Sequence, residues 1–288
     1  VKISAKLPEL PQYLIDDVVK DALKEDLGRA GDITTQAVVS EGARMKAAIV
    51  ARQDSVLAGL PLAVSAFRLM NAEVAIGDGV SDGVRAKAGQ VIATVSGRAS
   101  AVLSAERVAL NFLMLLSGVA TATAEFQDRI SHTKARITCT RKTIPGLRTI
   151  QKYAVRCGGG SSHRYGLDDA ILIKDNHIAV CGGVGPALEK ARAFAGHLVK
   201  IEIEVDTIAQ LEEALEAGAE VILLDNMNPQ TLRMAAEITA GRAVLEASGN
   251  VCIDAVAAIG EAGVDYISTS KITMAAPPRD FGLDFING

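Results

Sequence analysis

The sequence lacks any run of about 20 consecutive apolar residues, the length needed to span a membrane. Its opening residues, VKISAKLPELPQYLIDD, carry no signal-peptide apolar core before the first acidic side chains. No membrane partner and a cytoplasmic location are therefore expected. Four cysteines (Cys139, Cys157, Cys181 and Cys252) are widely scattered, with no C-x-x-C pair. That gives a zinc site no support and predicts four free thiols in a reducing compartment. A basic excess is missing too: the formal net charge is −4, which argues against a nucleic-acid partner. What remains is a chain of 288 residues, 49% hydrophobic and 22% charged. It is long enough for one large domain or two modest ones.

Leu14, Val18, Ala22, Leu23 and Leu27 recur at helical spacing, and Gly28 follows as a stop. After GDITTQAVV come short strand-like runs, MKAAIVARQ, SVLAGL, AEVAIGDGV and QVIATVSG. Turn signals such as Gly77-Asp78-Gly79 punctuate them. A β-rich first domain is expected. Ser104 then reads as the N-cap of an apolar helix, SAERVALNFLMLLSG, that Gly118 closes. Beyond it the runs ARITCT, AILIKD, VKIEIEV, EVILLD, AVLEAS and VDYIS alternate with amphipathic segments, the pattern of βα units and a parallel sheet. Glu204, Asp225, Glu246 and Ser268 follow one another at intervals of 21 or 22 residues, each at or near the end of its apolar run. In a β/α barrel, as in an open doubly wound sheet, that end carries the active site. About six units are present, too few for a complete barrel.

The strand KIEIEV sets Lys200, Glu202 and Glu204 on one face and Ile201, Ile203 and Val205 on the other. Neighbouring runs end in Lys174 and Asp225, so charge collects at several strand ends of an apolar scaffold. The densest cations run from Arg141 and Lys142, past Cys157-Gly158-Gly159-Gly160, to His163, Arg164 and Lys174. Arginine forks, lysine charges and glycine-exposed N–H groups suit a ligand with several negative charges. Arg107 falls in the first turn of the helix expected from Ser104, where the dipole disfavours a cation; a bound anion or a carboxylate such as Glu106 would resolve that conflict. Glu204 and Asp225 form an acidic pole whose oxygen ligands suit Mg²⁺. The small residues around Ser248-Gly249-Asn250 and Ser270-Lys271 end the last strands, where barrels commonly hold phosphate.

The run TRKTIPGLRTIQKYAVRCGGGSSHRYGLDDAILIKDNHI resembles the signature of quinolinate phosphoribosyltransferases, the type II phosphoribosyltransferases. IEIEVDT, ILLDNM and LEASGN follow in the family's order, and GDITT and SAERVALNFL match upstream. The resemblance covers essentially the whole chain. It implies an N-terminal open-faced α/β sandwich, over residues 1–115 with 276–288 joining it, and an incomplete α/β barrel over 116–275. It also implies a homodimer with sites shared between subunits, into which Arg107 reaches from the neighbouring protomer. By the same similarity Arg141, His163, Arg164 and Lys174 would bind quinolinate. Lys142 would lie near the reacting ribose and pyrophosphate, Glu204 and Asp225 would hold the ribose hydroxyls and Mg²⁺, and Ser248, Gly249 and Ser270 would cradle the 5′-phosphate, with Asn250 beside them. The chain departs from the family at Thr269-Ser270-Lys271 and Thr273-Met274-Ala275, where Val-Gly and Thr-His-Ser are usual. There Lys271 is expected to substitute as a phosphate ligand.

The implied reaction joins quinolinate to the ribose of phosphoribosyl pyrophosphate with loss of CO₂, giving nicotinate mononucleotide. Its rivals are a paralogue acting on another aromatic acid, a barrel lyase using Lys174 as a Schiff base, and a non-catalytic anion-binding protein. The last accounts for the cations but not for the acidic pair.

Overall fold

The computed structural model describes residues 7–77 and 80–286; Asp78 and Gly79 of the expected Gly-Asp-Gly turn lie outside them. Contacts divide the chain into two compact units. The first comprises Val1–Ala122, Thr149–Gly159 and Ala276–Gly288; the second comprises Thr123–Arg148 and Gly160–Ala275.

The first unit opens with α1 (Gln12–Leu27), whose Ile15, Val19 and Leu23 are buried and which Gly28 ends as expected. The short α2 (Ile33–Val38) is capped by Asp32, whose side chain accepts from Thr35 N. Strands β1 (Arg44–Ala51), β2 (Ser55–Val56), β3 (Glu73–Ile76), β4 (Arg85–Ala86) and β5 (Val91–Arg98) follow, with α3 (Leu60–Leu69) between β2 and β3. A four-stranded antiparallel sheet runs in the order β12-β1-β5-β3, in which β12 (Phe281–Phe285) comes from the far end of the chain. The unit is a mixed sandwich rather than β-rich. SVLAGL yields only the two residues of β2 before α3 begins, because Asp82 accepts from Gly59 N and Leu60 N and closes the helix start. Seven of the ten α3 residues are buried, so the run shows no polar stripe for a helical period to reveal.

Helix α4 (Ala99–Arg129) corrects the next expectation. It begins directly after β5, so Ser104 lies inside it and donates its hydroxyl to Asp32 instead of capping. Gly118 does not close it either; a Cβ there would meet Pro277 O at 2.5 Å. Glycine serves close approach here, not termination. Among the described residues α4 is the one helix long and apolar enough to cross a membrane, and 61% of its most apolar stretch is buried inside the fold. Asn111, Ser117 and the threonines interrupt its apolar run.

The second unit holds a six-stranded parallel sheet, β6 (Arg136–Thr138), β7 (Ile171–Ile173), β8 (Ile201–Val205), β9 (Val221–Asp225), β10 (Val244–Ser248) and β11 (Tyr266–Ser268). Its order is β6-β11-β10-β9-β8-β7. Helices α6 (Asp175–Cys181), α7 (Val184–Phe194), α8 (Ile208–Glu216), α9 (Pro229–Thr239), α10 (Val256–Glu261) and α11 (Lys271–Met274) alternate with the strands, while α5 (Arg148–Cys157) belongs, apart from Arg148, to the first unit. β6 and β7 do not pair with each other. A single parallel bridge from Thr138 to Ser161 occupies the β6 edge. The barrel is incomplete, with six strands, as the unit count implied.

Candidate active site

Strand register decides which side chains share the inner face. Glu204 pairs with Leu223 across β8 and β9, and Leu223 pairs with Glu246 across β9 and β10. One step further towards the C-terminal ends, Asp225 is level with Ser248. Side chains two apart on a strand point the same way, so Glu202, then Glu204 and Glu246, then Asp225 and Ser248 line one face in three tiers. Ile203 and Ile222, on the other face, have no exposure.

The cations sit on the loops above these strands. Arg141 and Lys142 are exposed after β6. Arg148 fastens this loop: its guanidinium donates to Thr143 Oγ1 at 3.0 Å, to Tyr165 O at 2.9 Å and to Arg141 O at 3.4 Å. Thr273 Oγ1 donates to Lys142 O at 2.8 Å, so the last barrel loop also holds the first. The second cationic loop is folded by Asp169, which accepts from Tyr165 N and Gly166 N. Arg164 donates to Ala170 O at 3.0 Å. Burial and the nearby charge of Arg141 push the Arg164 pKa down, against the pull of Glu202 and Asp169. Two guanidiniums that repel each other this way favour an anion between them. Lys174 ends β7 and forms an ion pair with Glu204. Its backbone N–H donates to His177 Nδ1 at 2.9 Å, which gives His177 a part in positioning the lysine.

His163 lies under Arg164 with both ring nitrogens engaged. Nδ1 accepts from Arg164 N at 2.7 Å. Nε2 stands 3.1 Å from Glu202 Oε2 and 3.7 Å from Glu246 Oε1. The three side chains retain 12%, 12% and 8% exposure. Their ligand-type atoms lie within 4.8 Å of one another, a geometry that a cation would also accept, and of the two carboxylates that of Glu202 stands nearer to Nε2.

The acidic pole stands at the strand ends. Glu204 and Asp225 occupy adjacent strands on one face, two register positions apart, and offer carboxylate oxygens, the donor type Mg²⁺ prefers. Asn226 Nδ2 donates to Asp225 at 2.6 Å and fixes its orientation. The loops after β9 and β10 lock together: Asn226 N donates to Ser248 O at 2.9 Å and Asn250 Nδ2 to Asn226 Oδ1 at 3.2 Å. Gly249 has φ +94°, and a Cβ there would overlap the Asn226 side chain. Only glycine fits this turn. Ser270 and Lys271 begin α11 after β11, with Lys271 exposed.

A family model described as the quinolinate phosphoribosyl transferase N-terminal domain matches residues 32–117, and its C-terminal counterpart matches 119–284. The chain belongs to the quinolinate phosphoribosyltransferase family. It is 44% identical over 260 residues to a protein of Bacillus subtilis named probable nicotinate-nucleotide pyrophosphorylase (carboxylating), covering 90% of this chain and 89% of that one. A mitochondrial quinolinate phosphoribosyltransferase (decarboxylating) of Nicotiana tabacum is 38% identical, with 98% and 85% covered. The solved nicotinate-nucleotide pyrophosphorylase of Francisella tularensis superposes with a TM-score of 0.92 at 35% identity, covering 98% of this chain and all of that one.

Within that family frame, the second unit gathers Arg141, Lys142, His163, Arg164, Lys174, Glu204, Asp225, Ser248, Gly249, Asn250, Ser270 and Lys271 onto the C-terminal ends of its strands and the loops that follow them. Arg107 is not among them. It belongs to the first unit, exposed in the third turn of α4 rather than the first. The expected conflict with the helix dipole therefore disappears, since the dipole acts within the first turn. The Arg107 side chain makes no ion pair or hydrogen bond with another described residue, Glu106 included. Sequence reading assigned no role to Glu202, Glu246, Arg148 or Thr273. The alternation of KIEIEV held a signal for Glu202, and Glu246 stood in the 21-residue spacing. Nothing periodic marks loop-to-loop anchors such as Arg148 and Thr273.

Proposed function

We propose that this chain transfers the phosphoribosyl group of phosphoribosyl pyrophosphate to quinolinate, with decarboxylation, yielding nicotinate mononucleotide, pyrophosphate and CO₂. It is a decarboxylating pentosyltransferase of pyridine-nucleotide and NAD biosynthesis. One observation carries the reading: a family match over residues 32–117 and 119–284 in which cationic loops and a carboxylate pair share the strand C-termini.

Quinolinate bears two adjacent carboxylates beside a ring nitrogen. In this reading Arg141, Arg164 and Lys174 take the carboxylates, and His163 supports them through Arg164. Fixing both carboxylates aims the nitrogen at the ribose anomeric carbon, which is catalysis by positioning. Glu204 and Asp225 hold the ribose hydroxyls and stabilise the oxocarbenium character that develops as pyrophosphate departs. Lys142 neutralises the leaving group. Ser248, Gly249, Asn250, Ser270 and Lys271 cradle the 5′-phosphate, and Lys271 supplies a charge close to Met274, the position where the family pattern has a histidine. Glu204 and Asp225 would also hold Mg²⁺, which when bound would add charge neutralisation on the phosphates.

The Lys174–Glu204 ion pair favours an anion-binding cation over a free amine nucleophile, and the family match excludes the Schiff-base lyase. The reading includes a homodimer in which Arg107 of one protomer completes the site of the other, supported by the exposed and unpaired state of Arg107. It also includes a cytoplasmic location, supported by four cysteines that form no disulfide.

A substrate panel tests the choice of acid. Pyrophosphate release from phosphoribosyl pyrophosphate is expected with quinolinate and not with nicotinate or other monocarboxylates. Release with another aromatic acid and none with quinolinate would identify a paralogue.

A further inference from the structure

The His163, Glu202 and Glu246 side chains are largely buried, and beyond the support that His163 gives Arg164 the reaction above assigns them no part. A neutral imidazole carries one donor and one acceptor nitrogen. The backbone N–H of Arg164 donates to Nδ1 at 2.7 Å, so the ring proton belongs on Nε2. The acceptor facing that proton is Glu202 Oε2 at 3.1 Å. Glu246 Oε1, at 3.7 Å, is too far for a hydrogen bond and adds negative field from the neighbouring side.

We propose that Glu202 is a positioning residue for the quinolinate site: it fixes the His163 tautomer, and through His163 the backbone from which the Arg164 side chain departs. The proposal rests on the reading that Arg164 receives a quinolinate carboxylate. Without the Glu202 acceptor, Nε2–H loses its 3.1 Å neighbour and keeps Glu246 Oε1 only at 3.7 Å, so the preference for the Nε2–H tautomer weakens against the Nδ1–H form. In the Nδ1–H form the ring proton opposes the Arg164 N–H, donor against donor, and the Arg164 backbone must shift. A misplaced fork loses the bidentate geometry on which carboxylate recognition depends. β8 thus carries two carboxylates with different tasks, Glu204 at the mouth facing the sugar and Glu202 one tier below facing His163.

The test uses the full-length protein labelled with ¹⁵N-histidine. Long-range ¹H–¹⁵N correlation reports the tautomer of His163, assigned by its loss in His163→Asn. The unaltered protein and Glu202→Gln, whose amide oxygen still accepts, are expected to show the Nε2–H form; an Nδ1–H form in the unaltered protein overturns the proposal. Calorimetry then compares ligands. Glu202→Ala should bind quinolinate about tenfold more weakly, as expected for one orphaned buried donor, with phosphoribosyl pyrophosphate affinity unchanged, and Glu202→Gln should restore most of the loss. Equal weakening of both ligands, or a Gln variant as weak as Ala, contradicts it. If Glu202→Ala does not fold, the tautomer and the Gln variant still decide. Failure of the unaltered protein to bind quinolinate would sink the functional reading and this residue's role with it. The tautomer, which needs no ligand, would still report separately on the Glu202–His163 contact.

Discussion

At the scale of single residues, the Lys174–Glu204 ion pair joins the two poles of the site. A substrate carboxylate arriving at Lys174 must compete with Glu204, and that competition frees Glu204 to face the ribose. Glu204→Ala is therefore expected to lower kcat by more than about 100-fold, since it removes stabilisation present only in the transition state. Quinolinate affinity should stay the same or tighten, because Lys174 loses its competitor. Parallel measurement of kcat and of quinolinate binding decides; equal losses in both would remove Glu204 from the chemistry. Much of this pole was readable in advance, since the alternation in KIEIEV and the 21-residue spacing of Glu204, Asp225 and Glu246 put carboxylates at strand ends. The pairing of Lys174 with Glu204 was not readable, because it depends on β7 lying beside β8, and spacing does not reveal neighbours.

At the scale of elements, the misread segments share one cause: helices buried on most sides lose the polar stripe that marks their period. The strand-like run SVLAGL ended at Leu60, where α3 begins, and the rest of that helix went unmarked, while α4 looked five residues shorter at its start because Ser104 resembles a cap. What Ser104 does instead involves Asp32, the cap of α2. Asp32 accepts from Thr35 N at 2.9 Å and from Ser104 Oγ at 3.0 Å. Asp32→Ala should cost about 1 kcal/mol of stability, the usual worth of a helix cap. Hydrogen bonds from Thr35 hold the Asp32 pKa below its ordinary value of 3.8. The sign follows: a depressed carboxylate stabilises the fold above pH 3.8, and that contribution is lost as pH falls through the folded-state pKa. Thermal melts across pH should show the unaltered protein above Asp32→Ala at neutral pH, with the gap closing in acid. A gap independent of pH would mean the carboxylate charge plays no part.

At the scale of the whole molecule, strand alternation and motifs that follow the family's order along the chain gave the incomplete barrel, while the return of β12 to pair with β1 leaves no local mark in the sequence. Every proposed site residue but Arg107 lies in the second unit. If Arg107 serves the neighbouring protomer, Arg107→Ala and Lys142→Ala should each be inactive alone yet complement when co-expressed. Mixed dimers then hold one intact site, recovering about a quarter of full activity for random pairing of a symmetric dimer. Mixed dimers without activity would place Arg107 outside the site.

The most direct test of the central claim is product formation by the purified protein supplied with quinolinate, phosphoribosyl pyrophosphate and Mg²⁺. Nicotinate mononucleotide and CO₂ should appear in equal amounts, and omission of any one component should abolish both. Folded protein that forms neither product with all three present would contradict the account.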